Sequence, residues 1–304
     1  MSTIFKYKKG LIETYANPLN ILQLNDIYSA ASECEQLFIQ LNDSIQNDSI
    51  SYKLRYRWLC ELTAQFPNVT VTVEKVNKTV DIKYTLKEEV IYKDTKITSK
   101  DIHENPFKYW ELIPNIIKEY YVKKILIIGN ESCGKSVLAQ SLANLYNTEF
   151  ISEYSREVCT SCGGEDFMLE EDFEKILYQH KLNIINGSKK ANKLLFIDTD
   201  AFMTFYYRNQ CNFNSSKEYI LDNEEIIQKI SRDYDLVLFL ESDVPYVDDE
   251  LRIVDRNING LRQECSEKLK ELYNKNGINF ELISGNYKKR LKKAQKIINE
   301  NFNL

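Results

Sequence analysis

Apolar residues along this 304-residue chain fall into two kinds of run, and the two kinds alternate. Short uninterrupted blocks at residues 125–128 (Ile125, Leu126, Ile127, Ile128), 194–197 and 236–240 have the density of strands buried on both faces of a parallel sheet. Weaker apolar segments at 149–151 and 280–283 add two more strands. Between them, at 137–146, 169–185 and 265–272, apolar side chains recur every three or four residues, the spacing of helices with one covered face. Strands alternating with helices predict an α/β fold, a parallel sheet with helices on both faces, over the second part of the chain.

The first hundred residues carry a smaller version of the same pattern. A strand over 9–14, a helix over 25–35 and a strand over 37–41 open a βαβ unit. Residues 52–66 place Leu54, Trp58, Leu62 and Phe66 at four-residue steps on one helical face, which leaves Lys53, Arg55 and Arg57 to a solvated one. Segments 69–73 and 79–84 alternate like half-buried strands, and a connecting helix is expected over 110–121. Two domains are therefore expected, a smaller one at 1–112 and a larger one at 113–304, a length that gives each a core of its own.

The block at 125–128 runs directly into Gly129, Asn130, Glu131, Ser132, Cys133, Gly134, Lys135 and Ser136, which match G-x-x-x-x-G-K-[ST] at every fixed position. Strand, glycine loop and helix follow in the order that phosphate binding requires. The glycines let backbone N–H groups turn toward a polyphosphate, and the helix N-terminus adds partial positive charge. Lys135 then reaches the β- and γ-phosphates, and the Ser136 hydroxyl ligates Mg²⁺.

Ligands of such sheets bind beyond the carboxyl ends of the strands, so the residues after each strand are the next candidates. Asp198 and Asp200 follow the block at 194–197. Asp198 stands where a carboxylate would hold the Mg²⁺ shell, and Asp200 where one would orient or deprotonate an acceptor hydroxyl; their spacing does not decide which does which, and either would also serve as an N-cap for the next helix. Glu153, Tyr154 and Arg156, after 149–151, combine a carboxylate, a ring and a guanidinium, suited to ribose hydroxyls, a flat heterocycle and a phosphate. On composition alone they read equally as the solvated start of a helix.

Composition narrows the classes. A net charge of −5 and a pI near 5.4 argue against a nucleic-acid partner. No apolar run approaches a membrane span, and the N-terminal MSTIFKYKKG leads into no signal-peptide core, so a cytoplasmic protein without a membrane partner is expected. Seven cysteines at irregular spacing read as reduced thiols, with the lone pair Cys159 and Cys162 incidental. His103 and His180 are too few and too far apart for a histidine metal site.

A family resemblance sharpens this. NPLNILQLNDI at 17–27, ASECEQL at 31–37 and KLRYRW at 53–58 resemble the start of the nucleotidyltransferase domain of NadR-type bifunctional proteins. That family carries an H-x-G-H-like signature after the proline, where this chain has Asn20, Leu22 and Gln23. Its triphosphate-holding ISxTxIR-like segment falls on ITSKDIH at 97–103, with Lys100 for threonine and His103 for arginine, followed by a well-matched ENPFKYW. The resemblance implies a truncated, Rossmann-like domain whose phosphate site is dismantled and which no longer transfers adenylyl groups.

The second domain resembles the ribosylnicotinamide kinase domain of the same family over nearly all of 123–304, through the phosphate loop, NTEF at 147–150, EYSRE at 153–157, FIDTD at 196–200, DVPYVDDELR at 243–252 and LISGNY at 282–287. The family has DxPWVDDGLR where this chain has Tyr246 for tryptophan and Glu250 for glycine. The resemblance implies ATP and Mg²⁺ as cofactors and nicotinamide riboside as substrate. It puts Ser284, Gly285 and Asn286 on the adenine side, Glu153, Tyr154, Arg156, Asp200, Tyr246 and Asp248 around the nucleoside, and Arg252, Arg256 and Arg262 on a lid-like segment over the phosphates, with Lys135, Asp198, Asp200, Arg252 and Arg256 as catalytic candidates. The expected function is phosphorylation of nicotinamide riboside to nicotinamide mononucleotide. Two other readings share the loop: a kinase for another nucleoside, and a non-catalytic regulator that senses pyridine nucleotides. No helix-turn-helix segment precedes 1–112, so a DNA-binding repressor is not expected, and the sequence leaves oligomeric state open, a homo-oligomer included.

Overall fold

Pro114 marks the first place where local chemistry overrides the apolar pattern. In a computed structural model that describes residues 5–43, 50–76, 79–211, 213, 219–231, 233–246 and 261–304, the expected connecting helix over 110–121 is a single 3₁₀ turn at Trp110–Leu112, an extended Ile113, and then a short helix at Asn115–Tyr121. Proline has no N–H to continue a helix and pushes the preceding residue toward extended backbone. The chain divides into two compact units, Met1–Tyr121 and Val122–Leu304, so the short helix belongs to the first unit and the boundary lies beyond the expected 112/113.

The first unit is a parallel sheet of four strands, β1 (Tyr7–Thr14), β2 (Cys34–Leu41), β3 (Val69–Thr72) and β4 (Ile82–Tyr84), in the order β3-β2-β1-β4. Helices α1 (Ile21–Glu33) and α2 (Tyr52–Thr63) connect its first three strands. An antiparallel pair, β5 (Glu89–Tyr92) and β6 (Thr95–Thr98), leads into α3 (Ser99–Glu104) and α4 (Asn115–Tyr121). The solvated face expected on α2 is corrected in one position. Its covered residues are Arg55, Trp58, Leu59, Leu62 and Thr63, a stripe rotated from the one read off Leu54 and Phe66. Arg55 is 1% exposed, donates to the Tyr15 carbonyl at 2.7 Å and lies 3.6 Å from Asp43, so its charge enters the unit with partners.

The second unit holds a five-stranded parallel sheet of β7 (Lys123–Gly129), β8 (Phe150–Ile151), β9 (Leu194–Asp198), β10 (Leu236–Leu240) and β11 (Glu281–Ile283), in the order β11-β10-β7-β9-β8. The apolar blocks are these strands, and Ile125 to Ile128 are fully buried. Helices α5 (Lys135–Tyr146), α6 (Ser155–Cys162), α7 (Glu170–Ser188), α8 (Ala201–Arg208), α9 (Glu224–Ile230), α10 (Leu261–Lys275) and α11 (Tyr287–Phe302) alternate with them. The glycine-loop strand β7 is central, between β9 and β10, so the carboxyl ends of three strands converge beside the loop. Among the described residues no helix is long and apolar enough to cross a membrane.

Candidate functional site

The phosphate loop leaves β7 at Gly129, whose φ of 141° only glycine adopts readily and where a Cβ would sit 2.5 Å from the Leu240 carbonyl oxygen. Positive φ returns at Ser132 (51°) and Gly134 (87°), and a Cβ on Gly134 would meet the Tyr287 ring at 2.7 Å. Alternating handedness of this kind curls the backbone so that successive N–H groups face a common centre. Helix α5 starts at Lys135 with Gly134 as its cap and no capping side chain, so its first N–H groups face the same loop. The Lys135 ammonium is buried and donates to the Asn130 carbonyl at 3.1 Å, and Glu131 N–H donates to Asn130 Oδ1 at 2.8 Å.

Ser136 Oγ donates to Asp198 Oδ2 at 2.5 Å. Burial pushes the Asp198 carboxyl up to about 6, Glu153 adds to the rise, and Lys135, Ser136 and Arg156 oppose it. Asp198 Oδ1 is buried with no hydrogen-bond partner among the described residues. A hydroxyl and a carboxylate with an unused oxygen, beside a buried ammonium, are the hard oxygen donors that Mg²⁺ takes, so these residues fit the ion expected from the sequence.

Asp200 stands differently. Its Oδ1 accepts Met203 N–H at 3.1 Å as the N-cap of α8 and the Tyr273 hydroxyl at 2.5 Å. It is 1% exposed, and burial pushes its carboxyl up to about 6 against those hydrogen bonds. Asp200, expected to orient or deprotonate an acceptor, serves the helix cap through Oδ1, while its Oδ2 is buried with no hydrogen-bond partner among the described residues; it lines a small hollow with His180 and Thr204 and not the cleft described next. Of the readings open for this pair, the N-cap describes Asp200 and the metal shell suits Asp198.

Beside the loop opens a cleft of about 60 Å³. Glu131, Glu153, Tyr154 and Arg156 line one side, and Met203 and Tyr207 of α8 line another. Glu153 Oε1 accepts the Ser155 hydroxyl at 2.6 Å. A second cleft of about 250 Å³ contains Tyr246, Arg262 and Asn130 and shares Glu131 and Tyr207 with the first. Thus Glu153, Tyr154 and Arg156 are together, and Tyr246 belongs to the neighbouring hollow. Asp248, Glu250, Arg252 and Arg256 lie outside the described residues.

Of the arginines expected on a lid-like segment over the phosphates, Arg262 lies among the described residues. It sits in the first turn of α10, donating to the Val244 carbonyl at 3.1 Å and to the Glu131 and Ser132 carbonyls at 3.4 Å, with its guanidinium 5.5 Å from the Tyr246 ring centroid. Its hydrogen bonds hold the phosphate loop from behind. At the segment expected on the adenine side, Gly285 (φ 93°) donates N–H to Asp243 Oδ2 at 2.6 Å, Asn286 caps α11 through Lys289 N–H, and Ser284 lies between them and β11.

Two residues of this site escaped the sequence reading. Arg290, 1% exposed, donates to the carbonyls of Gly285 (2.6 Å), Glu241 (2.7 Å) and Cys133 and pairs with Asp243, tying the phosphate loop to the ends of β10 and β11. Burial alone would raise the Asp243 carboxyl, but Gly285 N–H and Arg290 outweigh it and hold it below the usual range. The available signal was its place one helical turn before Ala294 and two before Ile298 on the covered face of α11, hidden in a run of lysines. His180 lines the cleft from α7, with Nε2 3.0 Å from the Thr199 carbonyl. Cys159 and Cys162 are not joined in a disulfide; the Cys159 thiol donates to the Met168 sulfur at 3.1 Å and the Cys162 thiol to Asp172 Oδ2 at 3.8 Å.

In the first unit, Asn20 and Gln23 form a reciprocal capping box on α1: Gln23 N–H donates to Asn20 Oδ1 at 2.9 Å and Asn20 N–H to Gln23 Oε1 at 3.3 Å. Gln23 Nε2 also donates to the Lys87 carbonyl at 2.9 Å. Leu22 is 41% exposed, and His103 Nδ1 lies 2.8 Å from the Tyr121 hydroxyl.

Comparison with known proteins places this geometry among relatives. The profile of the AAA domain family matches residues 124–290. The trifunctional NAD biosynthesis/regulator protein NadR of Escherichia coli (strain K12) is 37% identical over 188 residues, covering 60% of this chain and 43% of the relative, so the chain spans less than half the length of that protein. A crystal structure of NadR protein in complex with NR superimposes with a TM-score of 0.79 at 20% identity over 98% of this chain and 96% of that one. One of NadR protein in complex with NAD and AMP-PNP gives 0.76 at 19% identity over 100% and 98%. At these identities the two structures speak to the fold, which they share with both units of this chain.

Proposed function

The chain belongs to the AAA domain family, and from that premise we propose that it is an ATP- and Mg²⁺-dependent kinase that transfers a phosphoryl group to the 5′-hydroxyl of nicotinamide riboside, giving nicotinamide mononucleotide. The observation that carries the reading is a complete phosphate loop, with its Ser136–Asp198 pair, opening onto a cleft lined by Glu153, Tyr154 and Arg156. The likeness to NadR proteins, one of them bound to NR and another to NAD and AMP-PNP, supports the same substrate class.

Each residue then has a physical role. The curled loop and the N-terminus of α5 offer N–H groups to the phosphates, and Lys135 leaves the Asn130 carbonyl for the β- and γ-oxygens. Ser136 and Asp198 would hold Mg²⁺, which supplies charge neutralisation at those oxygens. Tyr154 and Tyr207 offer ring faces to the nicotinamide, and Arg156 a charged fork to phosphate. With Asp200 bound to its cap and Asp198 to Ser136, Glu153, one of three glutamates lining the cleft with Glu131 and Glu165, is the carboxylate we assign to orient the acceptor hydroxyl and take its proton, because it stands beside Tyr154 and Arg156.

The first unit is read as inactive in adenylyl transfer. Asn20 Oδ1 and Gln23 Oε1 accept N–H groups at the α1 N-terminus, and both side chains are neutral amides where an adenylyltransferase needs groups that meet phosphate charge.

The test is ADP release from Mg-ATP across a panel of nucleosides. Fastest turnover with nicotinamide riboside is expected. Preference for a different nucleoside would make this a kinase of another substrate, and tight ATP binding without turnover on any would make it a nucleotide-binding regulator.

A further inference from the structure

Thr199, between Asp198 and Asp200, has a φ of 67°. A β-branched residue in the left-handed region is a strained outlier, and such a conformation persists only where its surroundings over-determine it. Here they do. Thr199 N–H donates to the Ile127 carbonyl at 3.1 Å, its Oγ1 donates to the Asp198 carbonyl at 2.6 Å, and its own carbonyl meets His180 Nε2 at 3.0 Å. The first two bonds lie on the β9 side and tie the turn to a strand that the sheet already fixes. His180, from α7, is the contact that holds the outgoing peptide. A carbonyl only accepts, so the imidazole carries its proton on Nε2, and burial keeps the ring neutral.

The peptide after Thr199 leads at once into α8. The direction in which that helix leaves the strand sets the positions of Met203, Thr204 and Tyr207, which form one wall of the cleft. We propose that His180 is a positioning residue for the acceptor site: by holding the Thr199 carbonyl it keeps the strained turn in its left-handed form and so fixes the α8 wall against which the acceptor nucleoside is aligned. The role rests on the kinase reading for its kinetic consequence, though the backbone effect does not.

Three substitutions test it. His180→Phe keeps the bulk and removes the N–H, His180→Gln keeps an amide donor at a similar reach, and Thr199→Gly removes the strain that needs holding. His180→Phe is expected to raise the KM for nicotinamide riboside and lower kcat, by about 10- to 100-fold in kcat/KM, as misplacement of a reactant by about an ångström does. The KM for ATP is expected to stay unchanged, because the loop is untouched. His180→Gln should retain most of the activity, and the double variant His180→Phe with Thr199→Gly should recover nearly to the level of Thr199→Gly alone. Crystal structures supply the second readout: residue 199 turns to negative φ in His180→Phe and stays positive in the wild type. Wild-type kinetics in His180→Phe, or losses that simply multiply in the double variant, would overturn the role, as would an unchanged φ. A wild type that phosphorylates no nucleoside would sink the kinase reading alone, with the role of His180 still decided by the Thr199 angle.

Discussion

Among the carboxylates near the strand ends of the second unit, Asp198, Asp200 and Glu153 have different surroundings. Asp198 binds Ser136, Asp200 caps α8 under the Tyr273 hydroxyl, and Glu153 opens to the cleft. Glu153→Gln is therefore expected to lower kcat by about 10²- to 10⁴-fold, the usual worth of a positioned acid or base, with ATP affinity retained. Asp200→Asn keeps an acceptor for Met203 N–H and for Tyr273, so turnover close to wild type is expected; steady-state kinetics on the two variants checks the contrast. The sequence showed both aspartates and the glutamate as candidates but could not divide the roles, because spacing does not reveal which carboxylate a distant residue such as Tyr273 will engage.

His180 gives a pH signature at the same scale. Burial lowers its pKa from the ordinary 6.5, so the folded state keeps it neutral while the unfolded chain takes a proton. Between those two values the unfolded state binds more protons, so stability falls as pH drops below about 6.5 and the loss is absent above it. Asp198 and Asp200, both raised to about 6, add the opposite slope below that pH, so the check is a difference: as pH drops from about 6.5 to 5, wild-type stability in urea unfolding should fall relative to that of His180→Gln.

At the level of elements, the strands of the second unit were legible as apolar blocks, and the phosphate loop as a motif between strand and helix. What stayed hidden were charged residues on covered faces. Arg55 and Arg290 look like solvated charges in sequence, yet each lies on the buried stripe of its helix because backbone carbonyls wait for it there. Helical spacing locates a face, but it cannot tell a desolvated, fully bonded arginine from one in water. Arg290→Met should leave the Cys133, Gly285 and Glu241 carbonyls without this donor and Asp243 without its partner. A loss of stability of about 3–5 kcal/mol is expected in urea unfolding, together with a KM for ATP that rises more than that for the nucleoside.

For the whole molecule, two parallel sheets were foreseen; the boundary lies after Tyr121 and not after residue 112, and a proline splits the connecting helix expected there. In the first unit Asn20 and Gln23 form a reciprocal capping box on α1, and whether this unit transfers adenylyl groups is open to direct test. Given nicotinamide mononucleotide and Mg-ATP, the purified chain is expected to form no NAD above background, measured by an enzymatic cycling assay. NAD formation that persists in Lys135→Ala would show the first unit to be active.

The central claim is phosphoryl transfer at the loop of the second unit, and mass-resolved product analysis with nicotinamide riboside and Mg-ATP tests it most directly. The wild type should form one nicotinamide mononucleotide for each ADP released, and a folded Lys135→Ala variant, lacking the ammonium that meets the β- and γ-oxygens, should lose that product by orders of magnitude. No mononucleotide from the wild type, or equal yields from the two proteins, would contradict the account.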